Sequence, residues 1–217
     1  MPRASFTRSS PMLSLLVISL IVLLLLYLFY PSGKQGRIYT CKTMIVIGSG
    51  GHTSEMVRYT RAMGKKYAPK IYVLASSDKF SEEKVLSIEA SRDEPDKAPF
   101  VIKYVPRSRE VGQSYLTSIF TTLWSFIKSF EVVLSFSPDL VLCNGPGTCV
   151  PICFSYAVIQ LLRRRQFAVV FVESICRTAS LSLTGKILYY SSFSDVIVQW
   201  PKLKEQYPRA IYLGLLS

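Results

Sequence analysis

The sequence predicts an α/β fold: a single Rossmann-like, doubly wound parallel sheet with one N-terminal transmembrane helix. Beyond residue 42, short β-branched runs alternate with longer helical patterns, which is typical of βαβ units. Most of these runs are nearly continuously apolar, as strands buried on both faces require. Before them lies an apolar segment of membrane-spanning length. We therefore expect a tail over residues 1–12, a signal anchor over 13–30, a linker over 31–42 and one domain over 43–217.

The predicted anchor, residues 13–30, is uncharged and would extend about 27 Å as a helix, close to the hydrocarbon thickness of a bilayer. It ends in Tyr27, Phe29 and Tyr30, and such aromatic residues are typical of the membrane interface. The apolar run exceeds a typical signal-peptide core, and no small-x-small cleavage site follows it. The sequence thus favours a retained single-pass anchor over a cleaved signal peptide.

The formal net charge of +12 favours an anionic partner. Nucleic acid is disfavoured because the sequence lacks zinc-finger spacing, a ribonucleoprotein motif and a basic arm with interleaved aromatic residues, so lipid phosphate beside the anchor is preferred. One histidine, five cysteines and no Cys-x-x-Cys pattern argue against a metal site. The odd cysteine count favours a cytosolic domain, as does a sole asparagine, Asn144, that precedes Gly-Pro and cannot be glycosylated.

Seven strands and four helices are predicted along the domain. The first strand leads directly into an amphipathic helix, as in the first half of a nucleotide-fold crossover. The strands are expected at 44–47, 70–75, 101–105, 140–143, 168–172, 195–198 and 210–213. The helices are expected at 53–67, 82–91, 115–137 and 148–162.

The helix expected at 115–137 is long, aromatic and largely apolar. We interpret it as a core helix, with a helix lying at the membrane interface as the alternative. A second membrane span is disfavoured, because Lys128 and Glu131 would lie within the hydrocarbon.

A glycine-rich loop follows the first strand, in the segment VIGSGGHTSE. Its backbone N–H groups and the following helix N-terminus favour an anion, which makes Ser49, Gly50, Gly51 and Thr53 candidates for binding phosphate. His52, the only histidine, lies in the same loop, where a neutral imidazole would accept a proton from a hydroxyl. The loop therefore predicts an anion site with a candidate general base.

Three further strands end in polar loops. Because parallel strands bind ligands at their carboxyl ends, we expect one basic cleft that gathers these loops. The asparagine would orient a sugar group, the threonine and arginines would contact phosphate, and the glutamate would bind hydroxyls or orient His52. The candidates are Arg107 and Arg109 after the third strand, Asn144, Gly145, Gly147 and Thr148 after the fourth, and Glu173 and Arg177 after the fifth.

Each loop also has a purely structural interpretation. The first two glycine loops would serve as tight turns, and Glu173 with Arg177 would form a structural ion pair. A dinucleotide site fits poorly because the third glycine of G-x-G-x-x-G is replaced by Thr53, and the Gly-Lys-[Ser/Thr] of phosphate-loop ATPases is missing.

Several long motifs occur in one order along the chain: VIGSGGHTSEM, VPRSREV, PDLVLCNGPGTCVP, VFVESICR, TGK, VQWPKLKEQYP and a final YLG. Together they closely resemble the asparagine-linked glycosylation protein fourteen family, and the likeness spans residues 43–214. Members of that family are known as membrane-anchored subunits of the enzyme that adds the second N-acetylglucosamine to dolichyl-diphosphate-N-acetylglucosamine from UDP-N-acetylglucosamine.

The resemblance implies a single-pass protein of the endoplasmic reticulum membrane with its domain on the cytosolic face. It also implies the N-terminal, acceptor-side half of a GT-B glycosyltransferase, similar to that of the bacterial lipid-linked N-acetylglucosaminyltransferase. The other half would be a soluble donor-binding partner, asparagine-linked glycosylation protein thirteen. The residues expected to dock that partner are Tyr212, Leu213, Gly214, Leu215, Leu216 and Ser217.

Carried onto this sequence, the resemblance implies an inverting transfer with no tightly bound cofactor or metal. The acceptor diphosphate would lie at Ser49, Gly50 and Gly51, and His52 or Glu173 would be catalytic. No Asp-x-Asp motif is present to support a metal-dependent GT-A mechanism. Two alternatives from other classes remain: a non-catalytic recruiting scaffold, and a membrane-bound nucleotide-dependent oxidoreductase.

Overall fold

The computed structural model describes Ser19 and residues 40–93, 97–108, 115–145 and 147–216. The predicted tail, the anchor apart from Ser19, and most of the linker lie outside these residues, as do Arg109 and Ser217.

Seven strands form one sheet in which every neighbouring pair is parallel. Their order across the sheet is β3-β2-β1-β4-β5-β6-β7, so the direction of winding reverses between β1 and β4. The strands are β1 (Thr43–Ile47), β2 (Lys70–Ala75), β3 (Phe100–Val105), β4 (Leu140–Asn144), β5 (Val169–Val172), β6 (Asp195–Val198) and β7 (Ile211–Tyr212). The predicted fold class, a doubly wound Rossmann-like sheet, is confirmed.

Helices cover both faces of the sheet. They are α1 (Gly51–Arg61), α2 (Lys79–Ala90), α3 (Tyr115–Phe136), α4 (Cys149–Leu162), α5 (Leu183–Ser191) and α6 (Pro201–Gln206), with a short 3₁₀ turn at Lys65–Tyr67. One core lies between the sheet and the first two helices, around Met56 and Val85. A second, larger core lies on the opposite face, where Ile152 and Leu188 pack against the strands. The continuously apolar strands are thus buried on both sides, as their composition requires.

The predicted helices need correction, although the strand bounds agree closely. The first helix ends at Arg61 rather than at residue 67, and the chain passes through Gly64 into the separate 3₁₀ turn. The helices α5 and α6 were not predicted. Each has a recognisable start, since Ser182 accepts a hydrogen bond from the Gly185 N–H and Pro201 occupies the first turn of α6.

The prediction that residues 115–137 form a core helix is wrong. Within the described chain, the Ser118–Phe136 part of α3 is the one helix long and apolar enough to cross a bilayer, yet only 17% of it is buried. Small side chains such as Ser125 and Ser129 face the protein. The exposed side carries large apolar residues: Ile119, Phe120, Leu123, Trp124 and Ile127. Apolar composition alone does not distinguish such a helix from a buried one.

Candidate functional site

A cleft of about 430 Å³ opens at the carboxyl ends of the strands, where the strand order reverses. Ile47 at the end of β1 lies beside Asn144 at the end of β4, so the two loops that follow these strands meet. Open α/β sheets bind ligands at this position. The cleft is lined by Ile47, Gly48, Ser49, His52, Ala75, Arg107, Ser108, Gly145, Gly147, Thr148, Glu173, Arg177, Ser182, Leu183 and Thr184.

The loop between β1 and α1 turns sharply at Gly50. Its φ of +69° is in the left-handed region, which favours glycine. The Thr53 side chain is buried, and its hydroxyl donates to the Gly48 carbonyl at 2.6 Å and contacts Ser81 Oγ. Thr53 therefore holds the loop and does not line the cleft, unlike Ser49. Gly50 and Gly51 are exposed at the start of α1, where the helix dipole favours an anion.

His52 lines the cleft from the first turn of α1, and Asn144 holds it from behind. The His52 Nδ1 lies 2.7 Å from Asn144 Oδ1, and Asn144 Nδ2 donates to Glu55 Oε2 at 2.7 Å. Asn144 is fully buried, so its amide is used inside the protein. We expected it to orient a sugar group; in the structure it orients the histidine instead.

Gly145 brings the backbone of the second loop against the imidazole. A Cβ on Gly145 would lie 2.9 Å from His52 Cγ, closer than side-chain atoms pack. The φ of +109° at this position also disfavours any other residue. The imidazole is therefore fixed between Asn144 and a position that accepts only glycine.

Glu173 follows β5 and lines the cleft, but no hydrogen bond joins it to His52 in the described residues. Its carboxylate accepts hydrogen bonds from the Ser174 N–H and from the N–H and hydroxyl of Ser182. Burial raises the pKa of Glu173, while the bonds from Ser182 act in the opposite direction. No ion pair joins Glu173 to Arg177 in the described residues, so the structural interpretation of a salt bridge is wrong. The residue that orients His52 is Asn144.

Arg107 and Arg177 give the cleft its positive charge. They enter from β3 and β5, on opposite sides of the glycine loop in the strand order. Beside Arg107, Ser108 is buried and donates from Oγ to the Gly147 carbonyl at 3.1 Å, which links two of the loops. Two guanidinium groups and a helix N-terminus facing one cavity are suited to an oxyanion such as a diphosphate.

The structure brings most of the predicted site residues to this cleft. Ser49, His52, Arg107, Gly145, Gly147, Thr148, Glu173 and Arg177 all line it. Thr53 and Asn144 lie behind its wall, and Arg109 is outside the described residues. Across the described chain, no group of three His, Cys, Asp or Glu side chains is arranged to hold a metal ion.

Comparison with known proteins decides the family. The family model described as "Oligosaccharide biosynthesis protein Alg14 like" matches residues 43–216. The chain belongs to this family. Curated Alg14 relatives include proteins of Mus musculus, 51% identical with 80% of this chain and 82% of that one covered, and Homo sapiens, 47% identical with 79% and 81% covered. Both are named UDP-N-acetylglucosamine transferase subunit ALG14.

The fold of this Alg14-family chain also resembles a solved structure, MurG of Acinetobacter baumannii. The TM-score is 0.55 at 14% identity, covering 80% of this chain and 45% of that one. The likeness shows a shared fold, and this chain matches less than half the length of that MurG.

Two polar residues of the site, Glu55 and Ser182, were missed in the sequence, as was the hydrogen bond between Ser174 and Glu55. Glu55 lies three positions after His52 on α1, so helical spacing places it near the same face. Ser174 follows Glu173 directly, and its hydroxyl donates to Glu55 Oε1 at 2.7 Å. The i, i+3 spacing was a readable signal for Glu55, whereas the contact with Ser174 joins positions 119 apart and has no local signature.

The residues predicted to dock a partner begin with Tyr212, the last residue of the edge strand β7, and continue beyond it. Tyr212, Leu213 and Leu215 are exposed, whereas the Leu216 N–H donates to Gln199 Oε1 and its side chain packs against the core. Gly214 has a φ of +78°, which turns the chain between these residues. Docking by this segment of the Alg14-family chain stays a prediction.

Proposed function

We propose that this chain is the membrane-anchored, acceptor-side subunit of an N-acetylglucosaminyltransferase. The enzyme transfers N-acetylglucosamine from UDP-N-acetylglucosamine to dolichyl-diphosphate-N-acetylglucosamine on the cytosolic face of the endoplasmic reticulum. The observation that carries the proposal is the position of His52, held by Asn144 at the reversal point of the sheet and facing a cleft with two arginines. Membership of the Alg14 family and the names of its relatives support this substrate class.

The acceptor diphosphate is bound at Ser49, Gly50 and Gly51, with Arg107 and Arg177 neutralising its charge. His52 removes the proton from the acceptor 4-hydroxyl as that oxygen attacks the anomeric carbon of the donor sugar. The bond between the anomeric carbon and UDP breaks, UDP leaves, and the configuration at the anomeric carbon inverts. Neither a metal nor a cofactor takes part in this proposal.

A second, donor-binding subunit completes the enzyme. The domain described here matches 45% of the MurG chain, so it corresponds to less than half of an enzyme of that length. The proposed partner is the soluble asparagine-linked glycosylation protein thirteen. Its proposed docking segment is Tyr212–Ser217, where exposed apolar side chains follow an edge strand.

The exposed face of α3 rests on the membrane in this proposal, alongside the anchor. Phe120 is 77% exposed and Trp124 53% exposed, an unusual degree for large apolar side chains. Trp124 tests the contact because the chain has only two tryptophans. In a Trp200→Phe background, lipids brominated in their acyl chains should quench the remaining fluorescence. Unchanged fluorescence would place α3 away from the lipid.

The decisive experiment measures transfer of labelled N-acetylglucosamine to a dolichyl-diphosphate-N-acetylglucosamine analogue. This chain, its proposed partner and the mixture are assayed in parallel. We expect activity in the mixture alone. Full activity of the partner alone would reduce this chain to a recruiting scaffold, and inactivity of every mixture would contradict the proposed substrates.

A further inference from the structure

A chain of four hydrogen bonds leads from the cleft into the protein. Asn144 Nδ2 and Ser174 Oγ each donate at 2.7 Å to Glu55, one to each carboxylate oxygen. Ser174 Oγ in turn accepts from the Cys176 N–H at 3.3 Å, so its hydrogen is available for Glu55. His52 Nδ1 lies 2.7 Å from Asn144 Oδ1 at the other end. Every hydrogen bond of this chain whose donor is known therefore runs in the direction of Glu55.

An ionised carboxylate accepts hydrogen bonds and cannot donate them. The amide of Asn144 must therefore turn its NH₂ group to Glu55, which leaves its oxygen facing His52. An amide oxygen also only accepts, so the hydrogen between the two side chains belongs to His52 Nδ1. Nε2 is then the nitrogen with a free lone pair.

We propose that Glu55 is a positioning residue that sets the tautomer of His52. It fixes the amide of Asn144, which holds the hydrogen on Nδ1 and keeps Nε2 ready to accept a proton. The opposite tautomer would place two lone pairs against each other at 2.7 Å in a partly buried site, an arrangement that costs free energy. This inference extends the proposed function, since it supplies the reason why His52 can act as the base.

The burial of the two intervening groups makes this control effective. Asn144 has no exposed surface and Glu55 is 8% exposed, so water does not readily replace either partner. A free histidine side chain favours the Nε2–H tautomer, and that form has no lone pair at Nε2. Without Glu55, the site would therefore present the tautomer that cannot accept the proton there.

His52 is the only histidine, so its tautomer can be read directly in the full-length chain. The chain is labelled with ¹⁵N-histidine, purified without a histidine tag, and studied in lipid nanodiscs with its partner at a pH where the imidazole is neutral. Long-range ¹H–¹⁵N spectra distinguish a protonated from an unprotonated ring nitrogen. We expect Nδ1 to be protonated and Nε2 unprotonated in the wild type. The reverse pattern would overturn the proposal whether or not any variant folds.

Glu55→Gln supplies the discriminating variant. A glutamine can present its own NH₂ to Asn144 Oδ1, which lets the asparagine turn its NH₂ toward His52. We expect the two ring-nitrogen signals to exchange character and the transfer rate to fall by the order of 10²-fold, as loss of a general base does. Glu55→Asp retains an acceptor-only group and should restore the Nδ1–H pattern with part of the activity.

Ser54→Ala is the matched control. Ser54 precedes Glu55 in α1, and its hydroxyl accepts a hydrogen bond from Lys84 of α2. This variant should keep the wild-type spectrum and rate. An unchanged spectrum in Glu55→Gln would overturn the role of Glu55. An exchanged spectrum with undiminished transfer would support tautomer control and overturn the proposed function of His52 as base.

Discussion

Two buried polar networks lie on opposite sides of β1 in this sheet, and they differ in where they end. The first joins Glu55, Asn144 and Ser174 and reaches the cleft at the half-buried His52. The second lies at β2 and α2, where Glu89 accepts from Lys70 at 3.4 Å and from Arg92 at 2.8 Å.

We call the first network open because its His52 lines the strand-end cleft, and the second closed because none of its members lines that cleft. Glu89 also accepts from Tyr72 OH, and the Arg92 guanidinium donates to the Thr60 and Met63 carbonyls near the end of α1. Its bonds join β2 to α2 and α2 to α1. A buried charge cluster is therefore no evidence for a functional site by itself; the distinguishing feature is an imidazole that lines the strand-end cleft.

Breaking the closed network should have the largest effect on folding. Glu89→Gln removes the carboxylate that accepts from the buried Lys70 and Arg92, which should lower the free energy of unfolding by about 3–5 kcal/mol. The transfer rate per folded molecule should not change. Glu131→Gln is the control, because its ion pair with Lys128 is exposed and should contribute less than about 1 kcal/mol. Urea unfolding measures both variants, and a transfer defect in Glu89→Gln at unchanged stability would contradict the comparison.

Gly145→Ala should disturb the open network with a smaller loss of stability. The added Cβ meets His52, and the positive φ strains an alanine by about 1–3 kcal/mol. Displacement of the imidazole should reduce transfer roughly 10- to 100-fold. At Gly147 a Cβ meets only Ser108, at 4.0 Å, so Gly147→Ala should unfold like the wild type. Equal transfer by Gly145→Ala and the wild type would show that the ring position is not critical.

Glu173 should give the smallest effect, seen in the pH dependence of stability. Burial raises its folded-state pKa above the ordinary value of 4.5, so the folded protein retains a proton that the unfolded chain has lost. The contribution of the Glu173 carboxyl to the free energy of unfolding is complete below pH 4.5, and it is lost as the pH rises through the raised pKa. Relative to Glu173→Gln, the wild type should therefore lose stability with rising pH. Urea unfolding from about pH 4 to pH 7 checks this, and parallel curves would refute it.

The sequence predicts the strands well because burial on both faces leaves a local signature. The bounds of β2 and β6 agree to the residue, since each is a short apolar run between polar segments. The order of the strands has no such signature, because β1 pairs with β4 across almost a hundred residues. The interpretation of α3 as a core helix failed because an exposed apolar face and a buried one have the same composition.

In the candidate site, too, features with a local sequence signature could be predicted and long-range contacts could not. The glycine loops and their position after strands predict His52 and the neighbourhood of Asn144. The direction of the Asn144 side chain depends on Glu55, a contact across 89 positions, so a sugar contact was predicted where the structure has a hydrogen bond to histidine. Roles that depend on which way a side chain turns require the three-dimensional arrangement.

The most direct test of the account is the transfer rate of His52→Ala in the complete complex, with the partner in excess and complex formation checked by gel filtration. His52 is half-buried and lines the cleft, so its removal should leave folding and assembly intact. We predict a fall in transfer by the order of 10²-fold or more, as removal of a general base produces. Near-normal transfer by an intact complex would contradict the assignment of the open network to catalysis.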